Sequence, residues 1–118
     1  FIEFHQKAPR DIVASMMTFK TSTPASCGIV EVDENERLIA FHEKVANPPS
    51  NHASGAIFCF NKHVQNIWQV ANNCTDISCH LIPLLLGKTQ CWHNSQYLRD
   101  IGTPEALKKA EQDALHYV

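Results

Sequence analysis

Asp100-Ile101-Gly102-Thr103-Pro104-Glu105 is the stretch on which the fold turns. It follows a β-like segment and runs directly into a helical pattern with Leu107, Ala110, Ala114 and Leu115 on one face. Gly102 gives the backbone room to turn. The Thr103 hydroxyl suits a helix cap, and Pro104 suits the first turn, where an amide would lack a partner anyway. Glu105 lies near the positive end of the helix dipole. The pattern predicts a helix over 103–116 and places Asp100 at a strand-to-helix corner, where α/β proteins tend to hold ligands.

Upstream of that corner the chain divides at its prolines and polar clusters. Phe1–Ala8 has Phe1, Phe4 and His5 on one helical face, and Pro9 ends it. Ile12–Lys20 is apolar and β-branched, as a buried strand is. Ser22–Ser26 with Pro24 is a loop. Cys27–Asp33 and Arg37–Lys44 flank the polar turn 33–36, so 27–44 predicts a hairpin. Asn47-Pro48-Pro49-Ser50 cannot join a central ladder. Ala53–Phe60 is the next strand, and Asn61 caps a helix through about Val70 with Val64, Ile67, Trp68 and Ala71 in one stripe. A break is expected at Asn72–Thr75. Asp76 or Thr75 then caps a second helix ending at Gly87 and kinked at Pro83. Thr89–Tyr97 contains a strand, and Leu98–Ile101 leads from it to Asp100. This order predicts an α/β fold whose sheet is of mixed direction, with the 27–44 hairpin as its antiparallel part.

Composition limits the function classes. One hundred and eighteen residues make one domain or part of one, and 44% apolar residues supply a core. A formal charge of −2 gives no electrostatic footprint for nucleic acid. No apolar run approaches the ~20 residues of a membrane span, and Phe1–Ala8 is too short and polar for a signal peptide. The five cysteines, Cys27, Cys59, Cys74, Cys79 and Cys91, form no C-x-x-C pair, so a zinc knuckle is not indicated. They are taken as reduced thiols of a cytoplasmic protein. The seven histidines form no H-x-x-x-H pair and are assigned to surface and core.

A few residues stand out chemically. Mg²⁺ takes oxygen ligands and usually only one or two carboxylates besides substrate phosphates, which a lone Asp100 suits if a second carboxylate comes from elsewhere. The plain alternative is that Asp100 caps the following helix or pairs with Arg99. Glu43 and Lys44 would point to opposite faces within a strand, but Val45-Ala46-Asn47-Pro48 marks a strand end. There Glu43 can accept hydrogen bonds from ligand hydroxyls while Lys44 meets an anion as a point charge. Otherwise they form a surface charge pair. Ser54-Gly55 marks a ligand's close approach or a bulge. Gly28 opens a strand. Asp76 is a helix cap, and Trp68 and Trp92 are core or interface residues.

Phe41-His42-Glu43-Lys44, the segment Ser50–Phe58 and the 100–105 hexapeptide, in this order and at this separation, resemble the second half of the sugar-1-phosphate nucleotidyltransferase domain. The resemblance spans about Ile12 to Ala114. It implies an α/β fold, the C-terminal half of a Rossmann-like nucleotidyltransferase domain with a mixed sheet and flanking helices. It makes Asp100 catalytic, as the second of two aspartates that hold Mg²⁺. It assigns Glu43 to sugar hydroxyls and Lys44 to the sugar phosphate, and lays the Gly28 backbone against the sugar. Ser54, before Gly55, stands where many relatives place a sugar-contacting Asn. The chain departs from the family pattern at Arg99, where Trp is common, at Val45 for Pro, and at Cys27 for an aromatic residue.

The family's glycine-rich nucleotide loop has no counterpart here. The four glycines, Gly28, Gly55, Gly87 and Gly102, are widely separated, and the chain opens at Phe1. Residues 1–118 are therefore expected to be a partial domain, the sugar-phosphate-binding half, with the nucleotide-binding half and the second Mg²⁺ ligand outside it. The implied parent activity is transfer of a nucleotidyl group from a nucleoside triphosphate to a sugar 1-phosphate. The 118 residues alone are expected to be inactive, and to self-associate through surfaces the other half would cover. The segments Phe58-Cys59-Phe60, Asp76-Ile77-Ser78 and Leu86-Gly87-Lys88 resemble hexose- or heptose-1-phosphate guanylyltransferases, mannose-type included. A non-catalytic regulatory or assembly subunit on the same fold is the alternative, and a sugar-binding module a third.

Overall fold

The computed structural model describes residues 1–71 and 74–117. The break expected at Asn72–Thr75 falls largely on residues outside that range. Strand β1, Ala14–Lys20, lies inside the sheet, antiparallel to β4, His52–Phe60, and parallel to β5, Thr89–His93. Flanked on both edges, β1 buries Ala14, Ser15, Met16 and Thr18 completely. Strands β2, Gly28–Val32, and β3, Leu38–Glu43, form the expected antiparallel hairpin. The Asp33 carboxylate closes its turn by accepting from Asn35 N–H at 2.8 Å and Arg37 N–H at 3.0 Å. The order β3-β2-β4-β1-β5 is a five-stranded mixed sheet, as the sequence pattern predicts.

The sheet curls on itself. The turn end of the hairpin reaches the far strand, where Cys91 N–H donates to Glu36 O at 2.7 Å, next to Gly87 N–H on Leu38 O at 2.8 Å. Met16, Val30, Leu38, Ile82 and Cys91 are enclosed beneath it. A second cluster, Val13, Ala14, Leu81 and Leu85, packs under helix α2, Val64–Val70. Where β2 meets β4, only Ile29 and Ala53 pair. Beyond Ala53, the outer edge of β4 has no strand partner among the described residues.

Three local expectations need correction. The helix foreseen from Asp76 to Gly87 is instead one wide turn, Ile77–Leu81, followed by one tight turn, Ile82–Leu85. Pro83 has no N–H to continue a regular ladder, and complete burial of Leu81, Ile82 and Leu85 dictates the path. Asp76 does cap, accepting from Cys79 N–H at 2.7 Å. Asn61 is not the cap of α2: it turns the chain before it, its carbonyl accepting from His63 N–H and its amide donating to Ile12 O. Finally, β5 ends at His93. Asn94 makes the last bond to β1, N–H to Thr18 O at 2.7 Å, and its side chain then clasps Gln96. Asp100 thus sits in an extended loop and not at the end of a strand.

Besides α2, the described residues form two further α-helices. Helix α1, Ile2–Gln6, is pinned by a buried polar cluster in which Ser15 Oγ lies 2.8 Å from His5 Nδ1 and accepts from Gln90 Nε2 at 2.9 Å. Helix α3, Pro104–Ala114, is capped by Thr103, whose hydroxyl accepts from Ala106 N–H at 3.1 Å. It buries none of its residues completely. All five cysteines are free. Among the described residues no helix is long and apolar enough to cross a membrane.

Candidate functional site

The hairpin's open end assembles the first group of predicted residues. Gly28 and Glu43 pair directly across β2 and β3. Lys44 follows with φ 49°, a left-handed conformation that costs a side-chain-bearing residue energy. Its N–H donates to Cys27 O at 3.1 Å, which locks the bend. The bend ends the strand and lets Glu43 and Lys44 serve the same region. Their charged ends lie 3.8 Å apart, with the Lys44 side chain 69% exposed and Glu43 28%.

Ser54 and Gly55 stand one strand away. Because Ile29 pairs with Ala53, Gly28 and Ser54 lie one position beyond that pair on neighbouring strands. The register between β1 and β4 then breaks: Thr18 is opposite Ser54, but Met16 is opposite Phe58. The additional residues form a bulge with Ala56 at φ 54°. The Ser54 hydroxyl stabilises it by accepting from Ala56 N–H at 3.1 Å. A side chain at Gly55 would press on Met17 O and the Leu98 methyl, each at 3.3 Å. The bulge therefore docks the loop that carries Asp100.

Asp100 borders a cleft of ≈ 880 Å³ that Thr21, Ser26, Cys27, His93 and Thr103 also line. Cys27 thus joins this cleft to the Gly28–Glu43–Lys44 group. Glu43, Lys44, Ser54 and Gly55 themselves lie outside the cleft wall. Asp100 Oδ1 accepts from Gly102 N–H at 2.9 Å. Among the described residues its other oxygen takes no hydrogen bond, so an anionic oxygen remains for a ligand. Asp100 does not pair with Arg99. The Arg99 guanidinium turns to α3, 2.9 Å from Asp113 through Nη2, while its Nε donates to Tyr97 OH at 2.8 Å. Tyr97 OH donates in turn to Asp113 at 2.9 Å. The Tyr97 hydroxyl, then Arg99, hold the Asp113 carboxyl below the usual carboxylate range.

The cleft is oxygen-rich. Among the described residues no three His, Cys, Asp or Glu side chains converge as a metal nest. A hard cation would find one carboxylate with hydroxyls beside it, a donor set that fits Mg²⁺ if phosphates complete the shell. His93 lines the cleft, and His52 lies against it. His52 Nε2 is 2.8 Å from Thr18 Oγ1, and its ring is 5.2 Å edge-on from that of His93. Burial, then neighbouring His93, push the His52 imidazole below its ordinary value. The hydroxyl-bearing loop and the Tyr97–Arg99–Asp113 cluster were not singled out by sequence reasoning. The Tyr97-x-Arg99 spacing was visible, but only the fold brings Asp113 to it.

The chain is similar to known proteins. A family model described as "Nucleotidyl transferase" matches residues 1–116. Mannose-1-phosphate guanylyltransferase of Mycobacterium tuberculosis is 25% identical over 116 residues, covering 95% of this chain and 32% of the relative. Glucose-1-phosphate adenylyltransferase of Acetivibrio thermocellus is 27% identical over 125 residues, covering 99% of this chain and 29% of the relative. The chain thus spans about a third of the length of these relatives. A crystal structure of a putative glucose-1-phosphate thymidylyltransferase from Bacillus anthracis, in complex with a sucrose, superposes with a TM-score of 0.76 at 21% identity. The match covers 96% of this chain and 46% of that one, and shows the shared fold.

Proposed function

Since this chain belongs to the nucleotidyl transferase family, we propose that it is the sugar-phosphate-binding half of a nucleotidyltransferase domain acting on a sugar 1-phosphate. The domain's triphosphate loop and second metal-binding carboxylate belong to the other half. The named relatives transfer guanylyl and adenylyl groups to different sugars, but all act on a sugar 1-phosphate. A segment common to them is the natural place for the sugar-phosphate wall. The guanylyl preference drawn from Phe58–Phe60, Asp76–Ser78 and Leu86–Lys88 is a finer proposal that these names do not single out.

The observation that carries the proposal is the hairpin end, where Gly28 faces Glu43 and the left-handed Lys44 directs an exposed ammonium past it. Glu43 accepts hydrogen bonds from sugar hydroxyls and Lys44 meets the phosphate, while Phe41 and Glu43 take the space over Gly28, so Gly28 serves the sugar through Glu43. Ser54 and Gly55 border the sugar from β4. Asp100 is the one metal ligand this half supplies, with Mg²⁺ as the proposed cofactor. When bound, the ion neutralises charge on the reacting phosphates. The chain's own residues hold the sugar phosphate in line for attack on the α-phosphorus, a positioning role that needs no covalent enzyme intermediate. Charged metabolites of this kind and unpaired thiols both point to the cytoplasm as its location.

Pyrophosphate release tests the proposal. The complete domain is expected to release it only when a nucleoside triphosphate and a sugar 1-phosphate are both present, and residues 1–118 alone to release none. Release by residues 1–118 alone would refute the division of labour between the two halves.

A further inference from the structure

We propose that Gly28 is a positioning residue, whose missing side chain leaves the space that fixes the Glu43 carboxylate. What Glu43 does there rests on the sugar-phosphate assignment above. Where Glu43 sits rests on geometry alone.

The register puts Gly28 opposite Glu43 and Val30 opposite Phe41. All four positions share one face of the hairpin, because alternate residues of a strand point the same way. Three of them carry side chains, and the fourth position is filled by its neighbours. A Cβ built on Gly28 would collide with Phe41 Cζ, lie 3.0 Å from Phe41 Cε2 and lie 2.8 Å from Glu43 Oε2. Such approaches are closer than real side chains tolerate. The Phe41 ring therefore leans diagonally across the glycine, and the carboxylate lies over the same spot.

Backbone freedom is not why glycine stands at this position. Among the described residues Gly87 is the glycine with a positive φ, so an alanine at 28 meets no conformational penalty. It meets only the ring and the carboxylate. The two are not equally free to move. Phe41 packs against the enclosed core of Met16, Val30, Leu38, Ile82 and Cys91. Glu43 ends in a flexible, partly exposed chain whose neighbouring charge is Lys44 at 3.8 Å. A methyl at 28 must therefore push back the ring, its closest neighbour, while the carboxylate at 2.8 Å swings away more freely.

Four variants of the 118-residue chain test this: Gly28→Ala, Phe41→Leu, the double variant and Glu43→Gln. Proton NOEs between the Glu43 Hγ atoms and the Phe41 ring, with the Glu43 carboxyl ¹³C shift, report the position of the carboxylate without any ligand. Calorimetric titration with glucose 1-phosphate and mannose 1-phosphate reports binding, and thermal melting reports folding. Gly28→Ala is expected to stay folded with a lowered Tm, because the methyl also crowds the Phe41 ring, and to lose the NOEs, shift the Glu43 carbon and bind about tenfold more weakly, the scale of one weakened charge-assisted hydrogen bond. The double variant, with the ring's outer atoms removed, is expected to restore the Glu43 shift and most of the affinity. An unmoved Glu43 carbon in Gly28→Ala would overturn the inference, as would a double variant no better than the single one. The two assignments separate cleanly. If Gly28→Ala moves the carboxylate while Glu43→Gln binds as wild type, the positioning stands and the sugar contact falls. If Glu43→Gln loses binding while Gly28→Ala leaves Glu43 unmoved, the sugar contact stands and the positioning falls.

Discussion

Replacing Lys44 with glycine separates a side chain kept for function from one that merely occupies a turn. Lys44 holds φ 49°, a region that costs a residue with a Cβ about 1–2 kcal/mol and glycine essentially nothing. Glycine loses some of that gain through its freer unfolded chain, about 0.5–1 kcal/mol. The net expectation is a fold unchanged or stabilised by up to about 1.5 kcal/mol, which for a domain of this size raises Tm by up to roughly 6 °C. Binding should move the other way. Losing one charged contact to phosphate costs about 1.5–3 kcal/mol, or roughly a 10- to 150-fold weaker Kd. Because the Lys44 side chain is 69% exposed, solvent screening places the loss near the lower end and makes it salt-dependent. The assay is thermal unfolding beside calorimetric titration with glucose 1-phosphate and mannose 1-phosphate at two salt concentrations. Lys44→Ala, which keeps the strain, should lose the same affinity without the gain in Tm. A Lys44→Gly variant that binds as tightly as wild type, with the same salt dependence, would refute a phosphate role for this side chain.

Three further outcomes are expected. In the complete domain, Asp100→Asn keeps an acceptor for Gly102 N–H but loses the charge. The expectation is a fall in kcat of about a hundredfold, the order of one lost electrostatic stabiliser, at unchanged Tm, and near-normal kcat with normal Mg²⁺ dependence would count against the assignment. His52 is held below its ordinary value by burial and by His93, so the unfolded chain takes up its proton first as pH falls. Stability is then fully present above the unfolded value of about 6.5 and declines as pH falls through the lowered folded value; Tm measured from pH 8 to 5 should show a slope that His52→Gln flattens. The outer edge of β4 is open beyond Ala53, with Ile57 40% exposed beside it, so the 118-residue chain should self-associate with concentration and Ile57→Lys should reduce it. Light scattering that finds a strict monomer at high concentration would contradict that surface.

The parts of the fold that were legible are those fixed by local chemistry. Pro48-Pro49 and the polar turn 33–36 delimit the strands, and alternation identifies the 27–44 hairpin. Thr103-Pro104-Glu105 starts a helix by satisfying its own first amides, and the structure shows that cap bond. What was not legible depends on contacts distant in the chain. Apolar periodicity predicts one helix at 76–87, but Pro83 and the burial of Leu81, Ile82 and Leu85 divide it into two turns. The length of β5 is set by Asn94 turning on Gln96, so Asp100 lies on a loop. Arg99 read as a departure from the family pattern or as a partner for Asp100. Its partners, Asp113 and Tyr97, come together only when α3 folds back. Gly28 read as a strand opener or, by resemblance, as backbone against the sugar, and its relation to Phe41 emerges only once the hairpin register is known.

The most direct measurement is a residue-by-residue NMR titration of the 118-residue chain with glucose 1-phosphate and mannose 1-phosphate, against the free sugars and ATP or GTP. The account predicts that a sugar 1-phosphate shifts the signals of Gly28, Glu43, Lys44, Ser54 and Gly55 as a group, that free sugar does so far more weakly, and that the triphosphates leave the group unmoved. A titration in which sugar phosphates shift none of these residues, or in which ATP or GTP shifts them equally, would contradict the claim that this chain is the sugar-phosphate side of its domain.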